Sequence, residues 1–136
     1  MERAMDGLDG EIDCVDEAGL ARLVDRFYAA VRADDMIGPL FNDAIHDWPD
    51  HLGKLAAFWS SLMLGSGRYK GMPMAAHLRH RDRITPAMFD RWLALWREAT
   101  EAEMPPAVAV SMQAKASRIA ENFKLALGSR ALANIR

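Results

Sequence analysis

Apolar residues recur at helical spacing in four long stretches of the chain. Between Asp16 and Ala33, the residues Leu20, Leu23, Val24, Phe27, Tyr28 and Val31 follow one another at alternating steps of three and one, which puts them on one face of an α-helix. Asp16 supplies an N-cap for this helix and Asp34-Asp35 ends it. The run Ile37-Gly38-Pro39-Leu40-Phe41 predicts a short, tightly packed corner. A second long helix is expected to open at Asp47-Trp48-Pro49 and stop at Gly65, with Trp48, Leu52, Leu55, Trp59 and Leu62 on one face and Phe58 widening it. Thr85-Pro86 reads as an N-cap and first-turn proline for a third, whose face carries Phe89, Trp92, Leu93, Trp96 and Ala99. After Pro105-Pro106 the last stripe runs through Val108, Met112, Ala116, Ile119, Phe123 and Leu127, with Gly128 as its expected C-cap.

Between the second and third of these helices lies the segment richest in turn residues, Gly65-Ser66-Gly67-Arg68-Tyr69-Lys70-Gly71-Met72-Pro73. Pro73 introduces a short helical piece from Met74 to about His80, and a basic run follows, Arg79-His80-Arg81-Asp82-Arg83. Residues 1–15 show no sustained period and read as a mobile leader. The pattern divides the chain into that leader, one domain over 16–128 and a tail over 129–136, with no internal repeat.

Composition supports the same fold class. There are 23 Ala, 14 Leu and 9 Met against 13 residues of Val, Ile and Thr together, a balance that favours helix over strand and predicts an all-α domain. A chain of 136 residues fits one domain, able to bury roughly two-thirds of its unfolded surface. The net charge of -2 argues against a nucleic-acid protein, including a helical DNA-binding domain over 17–46. The single cysteine, Cys14, leaves no internal disulfide framework and no multi-cysteine zinc site. The uncharged stretches 55–67 and 104–114 are too short to span a bilayer, and acidic residues stand where a signal peptide needs a basic start. A cytoplasmic protein without membrane contact is the expectation.

Several catalytic templates are missing. The chain has no HExxH, no Glu-x-x-His pair, no GxSxG elbow, no GxGxxG or GK[ST] phosphate loop, and no CxxCH. What stands out is a set of polar groups on otherwise apolar faces: Tyr28 in the first long helix, His51 in line with Leu55, Phe58 and Leu62, Trp92 in the third, and His77 beside Met74 and Leu78. Taken singly, each is readily a core or rim residue with its hydrogen bonds satisfied. Taken together, two inward histidines from different helices can hold a flat apolar cofactor between them. One neutral imidazole binds iron axially, and the opposite face stays open for a ligand that Tyr, His or Trp donors can reach.

At these residues the sequence resembles a known family, the group III truncated haemoglobins, from about Leu20 to Leu127. The marks are Phe27-Tyr28, Gly38-Pro39-Leu40-Phe41-Asn42, His51 followed by Phe58-Trp59, Gly65-x-Gly67-x-Tyr69-x-Gly71-x-Pro73, His77-Leu78 and Phe89-x-x-Trp92. The resemblance implies a shortened globin fold, a two-over-two helical sandwich enclosing haem b held by one histidine. Carried over, His77 matches the iron ligand, and Tyr28, His51 and Trp92 match the distal polar trio. Phe41 matches the phenylalanine that packs on the haem face, Leu55 lies one turn beyond His51, and Phe58 and Trp59 wall the pocket, with ordinary core packing the rival reading for that pair. Lys54 is in reach of a haem propionate, Tyr69 either anchors the glycine loop or lies near the propionates, and Arg79, His80, Arg81 and Arg83 form a solvated face or pair with propionates. His46 is expected to be exposed.

The function implied is binding of a diatomic gas (O2, NO or CO) at a five-coordinate iron, with NO dioxygenation or peroxide chemistry served by a reductase, in a monomer or weak dimer. The rival reading is a helical interaction or sensor domain that keeps the fold without haem.

Overall fold

The computed structural model describes residues 15–71 and 83–135, those from 128 onward for their backbone alone. Five helices and no strand lie among the described residues: α1 Glu17–Ala33, α2 Gly38–Ala44, α3 Trp48–Leu64, α4 Pro86–Glu103 and α5 Pro106–Ile135. The helices form two packed pairs. α1 packs on α3, α4 packs on α5, and α1 lies against α4 to join the pairs, with α2 folded onto α1. None of these helices is long and apolar enough to cross a membrane.

The caps fall where side-chain chemistry places them. Asp16 accepts the Gly19 N–H at 2.8 Å, Asp47 accepts that of Asp50 at 3.1 Å, and Thr85 that of Met88 at 3.3 Å. Gly65 closes α3 at φ 65°, a left-handed conformation that costs a glycine little. All six predicted stripe residues of α1 are buried, each worth about 1.5–3 kcal/mol of transfer free energy for a large side chain.

Four features depart from the sequence reading. The corner after α1 is a short helix with Pro39 in its first turn, and Asp34 closes the turn that leads into it by accepting the Met36 and Ile37 N–H groups at 3.0 Å each. There α2 approaches α1 so closely that a Cβ on Gly38 would stand 2.8 Å from the Arg32 carbonyl oxygen. Leu62 is not on the buried face; it is 42% exposed, because the inner line of α3 drifts to Trp59, Ser60 and Met63. Gly128 lies inside α5, which runs on to Ile135; glycine costs about 0.5–1 kcal/mol there, and the helix formers on both sides carry the backbone through. Val15, expected in the leader, is buried against the core. The predicted helical piece Met74–His80, with His77, Arg79, His80 and Arg81, lies outside the described residues, as does Cys14.

The apolar interior comes in two parts. The larger is built on α1, α3 and the facing sides of α4 and α5, around Leu23, Phe27, Trp59, Trp96 and Met112. The smaller gathers Phe89, Ala120, Phe123 and Leu127 between α4 and α5, with Ile84, Leu93 and Ile119 packed against it. Between the two the side chains part.

Candidate functional site

A cleft of about 940 Å³, counting its open mouth, occupies that gap. Protein interiors are close-packed, so an apolar hollow between two parts of the core is a candidate binding site rather than a packing defect. Its walls come from both parts of the core and are almost wholly apolar.

Helical register explains which residues arrive there. Tyr28 is on the inner stripe of α1, His51 opens the second turn of α3, and Trp92 lies one turn into α4 beyond Phe89; all three line the cleft. Their chemistry is joined by one hydrogen bond: the Trp92 indole N–H donates to the Tyr28 hydroxyl oxygen. Burial pushes the Tyr28 phenol well above its ordinary value, and the Trp92 bond only partly opposes this, so Tyr28 keeps its proton through the neutral range. With its oxygen engaged by Trp92, the phenol has its own O–H left to donate, and its residue lines the cleft. The His51 ring stands edge-on to Tyr28 at 5.6 Å between centroids and 89°.

Of the other residues named from the sequence, Phe41, Leu55, Phe58, Trp59 and Tyr69 also line the cleft. Phe41 meets Tyr28 at 5.7 Å. Trp59 stacks on Trp96 at 4.6 Å, and Trp96 in turn lies parallel to Trp92, 6.2 Å away with planes 3° apart. This indole stack holds the plane of Trp92 and thereby the direction of its N–H. Tyr69 packs edge-on against Phe58 at 5.2 Å, and its backbone N–H bonds Ser61 Oγ at 3.0 Å. A Cβ at position 71 would collide with the Tyr69 ring, so Gly71 is what lets Tyr69 lie at the rim. Burial raises its phenol too, with the Lys54 charge acting the other way.

Two expected contacts stand apart from the cleft wall. Lys54 is exposed and pairs with Asp50 at 3.1 Å. Arg83 pairs with Asp43 of α2 at 3.0 Å. His46 is exposed, as expected. His77 lies outside the described residues.

The sequence reading passed over part of the wall: Ile84, Met88, Phe89, Ile119 and Phe123 line the cleft as well. Phe89, Ile119 and Phe123 belong to apolar stripes in the sequence, and a stripe alone does not say whether it faces another helix or a hollow.

An apolar slot with aromatic walls and donors at one end suits a flat, mostly apolar group that carries a polar ligand on one face. Comparison with known proteins agrees. The family model for the bacterial-like globins matches residues 15–130. The group 3 truncated hemoglobin ctb of Campylobacter jejuni is 33% identical over an alignment of 93 residues, with 65% of this chain and 72% of that protein covered. The crystal structure of a group III truncated hemoglobin from Campylobacter jejuni superposes with a TM-score of 0.75 at 31% identity, covering 83% of this chain and 91% of that one. The chain therefore belongs to the bacterial-like globins, and among them to the group III truncated haemoglobins.

Proposed function

We propose that the cleft holds haem b and that this haem-binding globin takes a diatomic gas (O2, NO or CO) on the side of Tyr28, His51 and Trp92. The observation that carries the reading is the Trp92–Tyr28 hydrogen bond, which leaves a protonated phenol as a donor in an otherwise apolar hollow. Phe41, Leu55, Phe58 and Trp59 would supply apolar contact to the haem, and His77, in the segment that follows the glycine loop, is assigned as the residue that would hold its iron. Bound there, the haem would supply an iron that takes a diatomic ligand and changes oxidation state.

The protein's own groups do the rest. The aromatic walls keep bulk water from the ligand. Tyr28 would donate a hydrogen bond to a polar ligand in the cleft, Trp92 would hold the Tyr28 hydroxyl for it, and His51 would offer a second polar group in the cleft wall. Hydrogen bonds of this charge-assisted kind contribute about 1.5–3 kcal/mol each, or roughly tenfold to hundredfold slower escape of the ligand. Such retention suits redox chemistry better than delivery. NO dioxygenation or reduction of a peroxide, with a reductase as electron donor, is the reaction assigned, in a cytoplasmic monomer or weak dimer.

Absorption spectra of the purified protein with added haem, ferric and ferrous, test the reading. A Soret band with five-coordinate ferrous features, lost in His77→Gly, supports it. A protein that stays colourless after haem addition overturns it and leaves a haem-free interaction or sensor domain. Stopped-flow mixing of the oxygen complex with NO, and of the ferric form with peroxide, tests the reaction; inertness to both removes the enzymatic part.

A further inference from the structure

We propose that Trp48, held by Arg32, is the positioning residue that keeps His51 standing towards the cleft; this rests on the haem-pocket reading above. Trp48 opens α3, one turn before His51. Side chains of a helix lean towards its N-terminus, so the imidazole of His51 leans over the turn that Trp48 occupies. The indole meets His51 edge-on at 5.6 Å and 88°, and meets Tyr28 at 5.9 Å and 50°. It therefore touches two of the three polar groups of the cleft without belonging to the cleft wall.

What keeps Trp48 in place comes from another element. The guanidinium carbon of Arg32, in the last turn of α1, sits 4.5 Å from the centre of the Trp48 ring. A cation over an indole face is attracted by the ring quadrupole, and arginine adds planar stacking. The Arg32 carbonyl oxygen accepts the Asn42 side-chain N–H at 3.2 Å, so the same residue is anchored to α2. The end of α1, tied to α2, thus meets the start of α3 at one ring, and that ring lies edge-on against the His51 imidazole. Trp48 and Arg32 together set the balance between an inward and an outward imidazole, and with it the hydrogen bonding and the access of the gas ligand.

The CO-bound ferrous protein reports this balance. Its CO stretching band moves with hydrogen bonding from the pocket, and CO rebinding after photolysis reads access. Arg32→Gln, a change at an exposed side chain, is expected to shift the ratio of strongly to weakly bonded CO bands by about two- to fivefold towards the weak one, matching the range for an exposed cation–π contact. Rebinding from solvent should quicken. Trp48→Leu should shift the bands further, whereas Arg32→Lys and Trp48→Phe, which keep a cation and a ring, should stay close to the unaltered protein. Unchanged bands and rebinding in both Arg32→Gln and Trp48→Leu, with the Soret band and melting temperature intact, overturn the proposal and leave the haem reading standing. Absence of a Soret band in the unaltered protein overturns the haem reading itself.

Discussion

The indole N–H of Trp92 donates to the hydroxyl oxygen of Tyr28, which leaves the phenol its own proton to donate elsewhere. Trp92 is itself held flat by stacking on Trp96. Trp92→Phe keeps a ring on that stack and removes only the donor. We expect the fold to survive and ligand dissociation to quicken roughly two- to tenfold, the equivalent of a neutral hydrogen bond worth about 0.5–1.5 kcal/mol. Tyr28→Phe is expected to do more, since it removes the donor to the ligand and strands the Trp92 N–H. Stopped-flow dissociation rates for the two single variants and the double variant form a cycle, and strictly additive effects would refute the coupling.

The state of Tyr28 can be read directly at high pH. The chain has two tyrosines, Tyr28 deep in the cleft and Tyr69 at its rim, and burial raises both phenols. A group whose folded value lies above its unfolded one adds stability that is complete below the unfolded value, about 10 for tyrosine, and is lost as pH climbs towards the folded value. The unfolded chain releases its proton first, so alkaline pH pulls the equilibrium towards it. Spectrophotometric titration should show the Tyr69 phenolate first and the Tyr28 phenolate only as the protein unfolds. Tyr28→Phe should flatten the alkaline fall in stability. A Tyr28 that ionises near 10 in the folded protein would contradict its burial.

How much of this was legible beforehand depends on which residues carry it. The α1 stripe, the Asp16, Asp47 and Thr85 caps and the stop at Gly65 follow from local rules, because each depends on neighbours within a turn. Tyr28, His51 and Trp92 were visible as polar groups on apolar faces, and a polar group there demands a partner. Phe89, Ile119 and Phe123 were visible only as core, since the gap beside them belongs to the packing of α4 against α5 and not to any one segment. Ser60 and Leu62 show the same limit on a smaller scale. Spacing from Trp59 puts Leu62 inside, but the buried position goes to Ser60, whose hydroxyl is satisfied by Glu17, distant in sequence, and by Ser66 in the glycine loop beyond the end of the helix.

Asp34 ties the end of α1 to α4 and carries an acid-sensitive share of the stability. Its side chain is only 5% exposed, yet it accepts from Arg91 Nε at 2.7 Å and from two backbone N–H groups. Burial alone would raise this carboxyl, but the Arg91 hydrogen bond and the N–H groups of Ile37 and Met36 outweigh it and hold the group below the usual range. Here the folded value is the lower one, so the contribution is present above the unfolded value of about 3.9 and is lost as pH falls below it. Asp34→Asn is expected to cost about 1–2 kcal/mol at pH 7, allowing for solvent screening on the more exposed Arg91. Urea unfolding at pH 7 and at pH 3 checks this: the gap between variant and parent should narrow at the lower pH, and a gap that widens would place the acid sensitivity elsewhere.

Ser60 is fully buried and joins the glycine loop to the first turn of α1. Its Oγ lies 2.6 Å from Glu17 Oε2 and 2.7 Å from Ser66 Oγ. The carboxylate only accepts, so the single Ser60 proton goes to Glu17, and Ser66 must donate to Ser60. Ser66 in turn accepts the Arg68 backbone N–H at 3.3 Å, and the Arg68 guanidinium closes the circuit on Glu17. Ser60→Ala removes the middle of this chain and is expected to cost about 1–3 kcal/mol, the range for leaving buried polar partners unsatisfied. The effect should centre on the loop: trypsin should cleave after Arg68 and Lys70 faster than the lowered melting temperature alone predicts. Glu17→Gln, which keeps an acceptor for Ser60 and loses the charge facing Arg68, should fall between variant and parent because Arg68 and Glu17 are half exposed. The loop leads into the segment that contains His77. Loosening it should therefore speed the transfer of haem to an acceptor apoprotein, while the hydrogen bonding reported by the CO band, governed from the far side of the cleft, stays as it was. If Ser60→Ala changes the CO band and leaves haem transfer and trypsin cleavage unaltered, the network acts on the distal side and the assignment of the loop as the anchor of the His77 segment is wrong.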